Sequence, residues 1–387
     1  MSVTAAKGFV AGGLACGIKP SGNADLAIVA TADGAPVAAA GVFTSNLATA
    51  APVQVSRAHL GATSGRAAAV VLSSGNANAA TGERGRTDAE RMCELTGAGL
   101  GCAAESVLVC STGLIGFYLP MDCLESGIPK LAGDLSVGGG TAAAEAIMTT
   151  DTKRKEVVVA GGGFTIGGMA KGAAMLAPNM ATMLAVLTTD AAVEADRLRT
   201  ALQRAVTASF NALSVDGCTS TNDTVLVLAS GAAGHTDLAA FETALTEACA
   251  SLARQMAADA EGATKVITVT VTGAASDTEA QAAARKVAES ELVKCSFYGE
   301  DPYWGRVVSE LGSAGVAFDP DTVQVAYGDV TVCKDGVATA HDADALAAHL
   351  AGREVRVTAD LGLGSGTGVI LTNDLTHAYI DENMRTS

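Results

Sequence analysis

The stretch Lys171-Gly-Ala-Ala-Met-Leu-Ala-Pro-Asn-Met-Ala-Thr-Met-Leu-Ala-Val-Leu-Thr-Thr-Asp190 lies near the middle of the chain. Pro178-Asn179 predicts a turn, and Met183–Leu187 is a continuous apolar run of the length expected of a strand covered on both faces. Thr182 stands at the head of that strand, directly after the small residue Ala181. The stretch therefore predicts a turn followed by a buried strand that presents one hydroxyl at its start.

A hydroxyl at the head of a rigid strand is a well-placed nucleophile. If Thr182 attacked the carbonyl of Ala181 and broke the peptide bond between them, Thr182 would become a new amino terminus. Its amine, with a reference pKa of about 7.7–8.0, is close to what a general base needs near neutral pH. The alternative is an ordinary threonine that starts a core strand, which this stretch alone favours.

The stretch is similar to the signature of the ornithine acetyltransferase (glutamate N-acetyltransferase) family. In that family the chain cuts itself before this threonine, which then carries an acetyl group. Similar blocks follow in order along nearly the whole chain, and on their combined specificity the chain is identified as a member. The blocks are Ala15-Cys-Gly-Ile-Lys19, Ala40-Gly-Val-Phe-Thr44, Ser74-Gly-Asn-Ala-Asn-Ala79, Cys110-Ser-Thr-Gly-Leu-Ile-Gly116, Ile147-Met-Thr-Thr-Asp151, Ser220-Thr-Asn-Asp-Thr224, Asp259-Ala-Glu-Gly-Ala-Thr-Lys265, Gly299-Glu-Asp-Pro-Tyr-Trp-Gly-Arg306 and Asn373-Asp-Leu-Thr376.

Composition restricts the partners of the protein. The chain has 387 residues, enough for one large core or two moderate ones. Its 44 glycines and only 4% aromatic residues favour small side chains and close packing of strands and helices. A formal net charge of −16 argues against nucleic acid and anionic membranes as partners, although acidic surfaces also serve solubility alone.

The cysteines and the lack of long apolar segments bear on the cellular compartment of the protein. The nine cysteines include no Cys-x-x-Cys pair, so we expect reduced thiols without a disulfide or zinc framework. The histidines show no metal spacing, and Gly362–Gly368 lacks the pattern of a nucleotide loop. We expect no metal and no cofactor. No apolar run reaches about 18 residues, and Met1–Gly8 lacks the apolar core of a signal peptide, so we expect a cytoplasmic protein.

The periodicity of apolar residues predicts an α+β protein. Strand-like runs dominate the first half, whereas helices and strands alternate in the second. The resemblance implies the arrangement, an αββα-like layered sandwich of the DmpA/ornithine acetyltransferase type, with a smaller carboxy-terminal α/β domain from about residue 275. Cleavage would give an α chain, 1–181, and a β chain, 182–387, two of each forming a heterotetramer. The predicted strands are Leu26–Thr31, Pro36–Thr44, Ala67–Leu72, Ser106–Cys110, Glu156–Ala160, Phe164–Met169, Val225–Leu228, Val266–Thr272, Arg353–Thr358 and Val369–Leu371, with a hairpin over Val323–Val332. The predicted helices are Arg86–Leu95, Gly139–Met148, Glu194–Phe210, Leu238–Met256, Glu279–Ser290 and Asp342–Leu350.

Acetyl transfer between two amines needs a nucleophile, a base, an oxyanion stabiliser and an amino-acid pocket. The resemblance assigns Thr182 as nucleophile and the hydroxyl of Thr112 with the N–H of Gly113 as the oxyanion hole. Ser111-Thr-Gly113 follows a predicted strand, where backbone N–H groups collect at a turn. An ordinary turn is the alternative, which the triplet alone favours.

The resemblance also assigns six substrate-binding residues, which include the nucleophile. A cation at Lys171 could hold the α-carboxylate, and a carboxylate at Glu261 could pair with the δ-ammonium of ornithine. Taken alone, Lys171 is a surface lysine after a glycine turn, and Glu261 is a carboxylate at a helix end. The six residues are Thr149, Lys171, Thr182, Glu261, Asn383 and Ser387.

Several positions depart from the family pattern. Tyr303 and Ser73 stand where an asparagine is usual, Ala80 replaces a cysteine, and Ser387 matches only with a one-residue deletion in the tail. The departures concern the acceptor subsite and leave the nucleophile and oxyanion residues intact.

The function that the resemblance implies is transfer of the acetyl group of N2-acetyl-L-ornithine to L-glutamate through acetyl-Thr182. The resemblance leaves open whether acetyl-CoA is a second acetyl donor. Three alternatives remain: a secondary-metabolism paralogue that acts on a related amino acid, an amino-terminal-nucleophile aminopeptidase, and a non-catalytic protein that kept the fold.

Overall fold

The computed structural model describes residues 2–175 and 183–384, and the chain divides into two compact units. The first unit comprises Met1–Asn211 and Cys218–Met256, and the second comprises Ala212–Gly217 and Ala257–Ser387. No helix among the described residues is long and apolar enough to cross a lipid bilayer, and no cysteine in that part of the chain forms a disulfide.

The first unit contains two sheets and six helices among its described residues. Its strands are β1 (Phe9–Leu14), β2 (Leu26–Thr31), β3 (Val37–Phe43), β4 (Arg66–Ala67), β5 (Ala69–Asn76), β6 (Val107–Leu114), β7 (Lys155–Ala160), β8 (Thr165–Lys171), β9 (Leu184–Ala192) and β10 (Thr224–His235). Its helices are α1 (Ala51–Ala62), α2 (Gly82–Leu100), α3 (Met121–Ala132), α4 (Gly140–Ala146), α5 (Ala195–Ala208) and α6 (Leu238–Ala258).

The two sheets of this unit pack face to face. One has the order β1-β2-β5-β6, and the other has the order β4-β3-β10-β9-β8-β7. Val29 and Leu72 of the smaller sheet join Val186 and Leu226 of the larger one in a shared apolar core. Residues of both sheets that point into this core are fully buried.

Helices cover the outer faces of both sheets. Met92 of α2 and Ile128 of α3 pack with Ile28 and Val109 on the outer face of the smaller sheet. On the larger sheet, α5 packs against β3 and β10, and Leu252 of α6 approaches Gly168 of β8. The layers therefore run helix, sheet, sheet, helix, and the α+β layered sandwich is confirmed.

The second unit is a mixed six-stranded sheet with its own apolar core. The sheet order is β14-β13-β12-β15-β11-β16, in which β11 and β15 are parallel and the other pairs antiparallel. The strands are β11 (Val266–Ala274), β12 (Gln324–Tyr327), β13 (Val330–Lys334), β14 (Val337–Ala338), β15 (Glu354–Asp360) and β16 (Gly366–Asn373). The helices are α7 (Asp277–Glu289), α8 (Glu291–Tyr298), α9 (Trp304–Gly312), α10 (Ala343–Leu350) and α11 (His377–Asn383).

Most predicted elements are present, with shifted ends, but the sequence patterns missed several. Helix α3 contains Gly127 and Pro129, which ordinarily argue against a helix. A Cβ atom at position 127 would lie 2.7 Å from the Cβ of Cys16, so the glycine lets α3 pack closely. The other missed elements are β1, α1, α8, α9, α11 and the two-residue strands β4 and β14.

Candidate active site

Neighbouring strand ends of the larger sheet define the candidate site. β8 runs antiparallel to β9, with Lys171 opposite Leu184. β10 runs parallel to β9, with Thr224 also opposite Leu184. The last residue of β8 and the first residues of β9 and β10 therefore lie side by side, and Met183, which precedes β9, is at the same edge.

Thr112 and Gly113 lie near the end of β6 in the smaller sheet, opposite Ser74 and Gly75 of β5, so the turn predicted here is wrong and both residues belong to the strand. Thr112 is 2% exposed, and its Oγ1 accepts a hydrogen bond of 3.3 Å from Nζ of Lys171. Gly113 has a φ of 131°, and a Cβ there would lie 2.3 Å from the carbonyl carbon of Gly75. Only glycine fits this conformation and this close approach of two backbones. Lys171 thus joins the end of β6 to the end of β8.

Asp151 anchors the lysine side of the site. This buried carboxylate accepts hydrogen bonds from Nζ of Lys155 at 2.6 Å, from N of Gly172 at 2.7 Å and from N of Thr149 at 3.0 Å. Burial alone would raise the pKa of Asp151, but the nearby charges of Lys171 and Lys155 lower it to about 2. Asp151 is therefore ionised at neutral pH and holds Thr149 close to the end of β8.

The segment before β10 connects the end of β6 to the start of β9. Nδ2 of Asn222 donates to the carbonyl oxygen of Ser111 at 2.8 Å and to that of Ala77 at 2.6 Å. Oδ1 of Asp223 accepts a hydrogen bond of 2.9 Å from N of Met183. Adjacent residues of one segment thus fix the backbone before Thr112 and the backbone at the head of β9.

A second lysine lies beside Gly75, the residue of β5 that is opposite Gly113. Nζ of Lys19 donates to the carbonyl oxygens of Met148 and Ala24, both at 2.7 Å. Its aliphatic stem passes 3.0 Å from the Cβ position of Gly75. Burial lowers the pKa of Lys19, and the positive charge of Lys171 acts in the same direction. Lys19 and Lys171 therefore both lie at this site, and an ammonium group suits an anionic ligand group such as a carboxylate.

Comparison with known proteins gives the family. The ArgJ family model matches residues 10–386. The "Arginine biosynthesis bifunctional protein ArgJ" of Streptomyces coelicolor is 50% identical over 384 residues, which cover 99% of each chain. The protein of the same name from Thermobifida fusca is 48% identical, again over 99% of each chain. The chain belongs to the ArgJ family. It is thus an acyltransferase enzyme of arginine biosynthesis.

Two solved ArgJ-family structures are similar to parts of the chain. The crystal structure of ArgJ from Bacillus halodurans is 40% identical, covers 51% of this chain and 95% of its own, and has a TM-score of 0.49. The ornithine acetyltransferase of Mycobacterium tuberculosis, solved with ornithine, is 44% identical, covers 46% of this chain and 94% of its own, and has a TM-score of 0.41.

The predicted site residues fall into three groups. Thr112, Gly113, Thr149 and Lys171 cluster in the first unit through the contacts described above. Glu261 and Asn383 belong to the second unit and contact each other, since Nδ2 of Asn383 donates to Oε2 of Glu261 at 2.8 Å. The predicted cleavage residue Ala181, the nucleophile Thr182 and the substrate residue Ser387 lie outside the described residues, so their roles stay predictions.

Glu261 also lines a cavity of about 140 Å³ within the second unit. Asp216 and Glu289 share this lining with Lys294, whose Nζ donates to Oγ1 of Thr372 at 2.9 Å. Burial lowers the pKa of Lys294 to about 8, although Asp216 and Glu289 act to raise it. The excess of carboxylates makes this cavity suited to a cationic group.

Sequence reasoning missed the residues that support the site. Lys19, Asp151, Asn222 and Asp223 all lie within family-like blocks, but nothing in those blocks indicated which partners they bind. Lys155 lies outside the blocks. The signal that could have raised interest was charge at positions next to predicted strands, where a carboxylate or an ammonium is costly to bury without a partner.

Proposed function

We propose that this ArgJ-family enzyme transfers the acetyl group of N2-acetyl-L-ornithine to L-glutamate through an acetyl-Thr182 intermediate. The observation that carries the proposal is the Lys171–Thr112 hydrogen bond at the strand edge where β9 begins. It brings a cation and the predicted oxyanion residues of β6 to the edge that also holds Met183, and Met183 is covalently joined to Thr182.

The proposed enzyme matures by self-cleavage between Ala181 and Thr182. This would give chains 1–181 and 182–387, and two copies of each would form a heterotetramer in the cytoplasm. The β chain would contain the second unit, and the smaller domain predicted from about residue 275 would begin earlier, because β11 (Val266–Ala274) belongs to the sheet of that unit. Native mass measurement of the purified protein tests the assembly.

In the first half-reaction, the Thr182 hydroxyl would attack the acetyl carbonyl and pass its proton to the α-amine of the same residue. Thr112 Oγ1–H and Gly113 N–H would stabilise the negative oxygen of the tetrahedral intermediate. The C–N bond then breaks, the proton moves to the leaving nitrogen, and ornithine departs. Glutamate would reverse these steps with its own amine and leave as N-acetylglutamate.

The substrate residues divide between the two ends of ornithine in this proposal. Lys171, supported by Thr149, would hold the α-carboxylate. Glu261 would pair with the δ-ammonium, and Asn383 and Ser387 would make further substrate contacts. The relatives are named bifunctional, which supports a second activity, and we propose that this activity is acetylation of glutamate by acetyl-CoA. Assays with both acetyl donors test this point.

The decisive variant is Thr182→Ala. We expect one uncut chain of 387 residues and no acetyl transfer, whereas Thr182→Ser should cut and transfer because it keeps the hydroxyl. Thr189→Val is a control, because the Thr189 hydroxyl bonds the carbonyl of Thr165 near the opposite end of β9. Intact mass and a donor–acceptor assay give the result. A Thr182→Ala protein that is cut and active would disprove the proposal.

A paralogue with another substrate is the second candidate, which the exposed Tyr303 favours. Kinetics with a panel of N-acetylated diamino acids separates the two candidates, since a preference for a donor other than N-acetylornithine identifies the paralogue.

A further inference from the structure

Self-cleavage raises a chemical problem that acetyl transfer does not. After cleavage, the free amine of Thr182 can accept the proton of its own hydroxyl. Before cleavage the same nitrogen is part of a peptide bond and is not basic. The uncut chain therefore needs a different proton acceptor close to Thr182.

Asp223 binds the backbone of Met183, the residue that follows Thr182. The Met183 nitrogen, which Oδ1 of Asp223 holds at 2.9 Å, is bonded directly to the carbonyl carbon of Thr182. The carbonyl oxygen of Asp223 accepts a hydrogen bond of 3.0 Å from N of Thr44, so the residue is fixed by its backbone as well. Asp223 is fully buried and cannot turn its carboxyl group out to solvent.

The second carboxyl oxygen of Asp223 has no hydrogen bond of ordinary geometry, although the hydroxyl of Ser220 lies close enough to the carboxyl group to lower its pKa. Oδ2 of Asp223 is buried and has no hydrogen-bond partner within residues 2–175 and 183–384. A buried carboxyl oxygen without a partner is costly, and a catalytic role is one of the reasons for which such a group is kept. Oδ1 fixes the backbone, which leaves Oδ2 for a reacting group.

The other carboxylate of the site is a poorer proton acceptor. Asp151 is paired with Lys155 and has a pKa of about 2. Burial raises the pKa of Asp223 well above its usual range, although the N–H of Met183, the hydroxyl of Ser220 and the charge of Lys171 act to lower it. A carboxyl group with a raised pKa is a stronger base once ionised, and is better matched to work near neutral pH.

We propose that Asp223 is the general base for self-cleavage of the uncut chain, an inference that rests on the proposed function. Oδ2 would take the hydroxyl proton of Thr182 as its oxygen bonds to the carbonyl carbon of Ala181. The C–N bond then breaks, and the same proton passes to the leaving nitrogen. The product is an ester between Ala181 and Thr182 with a free amine. Water hydrolyses this ester, which leaves a carboxylate on Ala181 and restores the hydroxyl.

The test is Asp223→Asn, followed as the rate of cleavage of freshly translated full-length chain on a gel. Asparagine keeps an oxygen for the N–H of Met183 but cannot accept the proton. We expect the cleavage rate to fall about 10²–10⁴-fold. In the portion that does cut, acetyl transfer per cut site should fall far less than cleavage does, because the released amine then acts as base.

Asp190→Asn is the matched control. Asp190 is also buried and lies in β9. Its two carboxyl oxygens accept hydrogen bonds from the backbone N–H groups of Thr165 and Lys7, at 2.7 and 3.2 Å. We expect it to lose stability but to cut normally. Wild-type cleavage by Asp223→Asn would overturn the inference, and so would equal loss of cleavage in both variants. Loss of transfer in cut Asp223→Asn to the same extent as cleavage would also overturn it.

The two proposals fail in different ways. A wild-type chain that does not cut, or a Thr182→Ala chain that does, contradicts the proposed function. Wild-type cutting that depends on Thr182 but not on Asp223 contradicts this inference alone.

Discussion

Gly113 is the residue of the candidate site where the backbone tolerates least change. A Cβ atom there would lie 2.3 Å from the carbonyl carbon of Gly75 and 2.5 Å from N of Asn76. Both are backbone atoms, so the two strands must move apart to admit a methyl group. Such a shift would displace Thr112 from Lys171 and misplace both predicted oxyanion donors.

We predict that Gly113→Ala lowers the rate of acetyl transfer at least about 10²–10³-fold, the effect of losing one oxyanion donor. Gly116→Ala is the control, because Gly116 also has a positive φ of 90° but nothing within 4 Å of its Cβ position. It should cost about 1–2 kcal/mol of stability and keep most activity. Steady-state kinetics and thermal unfolding measure the two effects, and equal activity in the two variants would contradict the prediction.

At the scale of residues, the sequence predicted the candidate site only through its family-like blocks. Thr112, Gly113 and Lys171 were named from these blocks, and the structure brings them together. The supporting contacts could not be predicted, because the partners are far apart in sequence. Asn222 reaches Ser111 across 111 residues, and Asp223 reaches Met183 across 40.

At the scale of elements, Asp151 holds three segments together. It bonds Thr149 in the connection after α4, Lys155 at the start of β7 and Gly172 directly after β8. Because its pKa in the folded protein is about 2, against an ordinary value of 3.8, protons bind more tightly to the unfolded chain. The stabilisation is complete above the ordinary pKa and is lost as the pH falls through about 2.

We predict that Asp151 contributes on the order of 2 kcal/mol to the free energy of unfolding at pH 5, and that this contribution disappears towards pH 2. The difference in free energy between wild type and Asp151→Asn, from urea unfolding across this range, measures it. Asp134→Asn, at an exposed position, should show no such dependence on pH. A constant difference between wild type and Asp151→Asn would contradict the prediction.

Elements were predicted where a single local pattern decides the structure. β2 matches its predicted bounds, Leu26–Thr31, because six consecutive small or apolar residues are all buried. β9 continues through Thr188, Thr189 and Asp190, beyond the predicted apolar run, because these polar side chains are buried and bond the backbone of other segments. Polar residues end an apolar pattern but do not end a strand whose neighbours satisfy them.

At the scale of the whole molecule, the order of strands in the sheets could not be predicted from the pattern of apolar residues. β3 and β9 both pair with β10, one antiparallel and one parallel, from positions far apart in the chain. Short apolar strands do not identify their partners, so the layered arrangement came from the resemblance alone. Each unit then has its own core: Ile267, Val357 and Ile370 pack together in the second, whereas Val70 and Val186 belong to the first.

Separate cores imply that Lys294, within the second unit, affects the stability of that unit. Burial lowers the pKa of its ammonium to about 8, against the opposing effect of Asp216, Asp374 and Glu289. Between pH 8 and its ordinary value of 10.5, the unfolded chain carries a proton on this group that the folded chain has lost. Stability therefore rises with pH in this range because the unfolded state binds more protons.

We predict that the free energy of unfolding of the second unit gains on the order of 2 kcal/mol from this group between pH 7.5 and about pH 9.5. Lys294→Met should lack the gain, whereas Lys334→Met, at an exposed position of β13, should keep it. Urea unfolding of the three proteins at both pH values, followed through the protection of β11 and β16 amides from hydrogen exchange, measures the effect. If Lys294→Met gained as much stability as wild type, the ammonium would not be the titrating group, and the cavity beside Glu261 would owe its charge to its carboxylates alone.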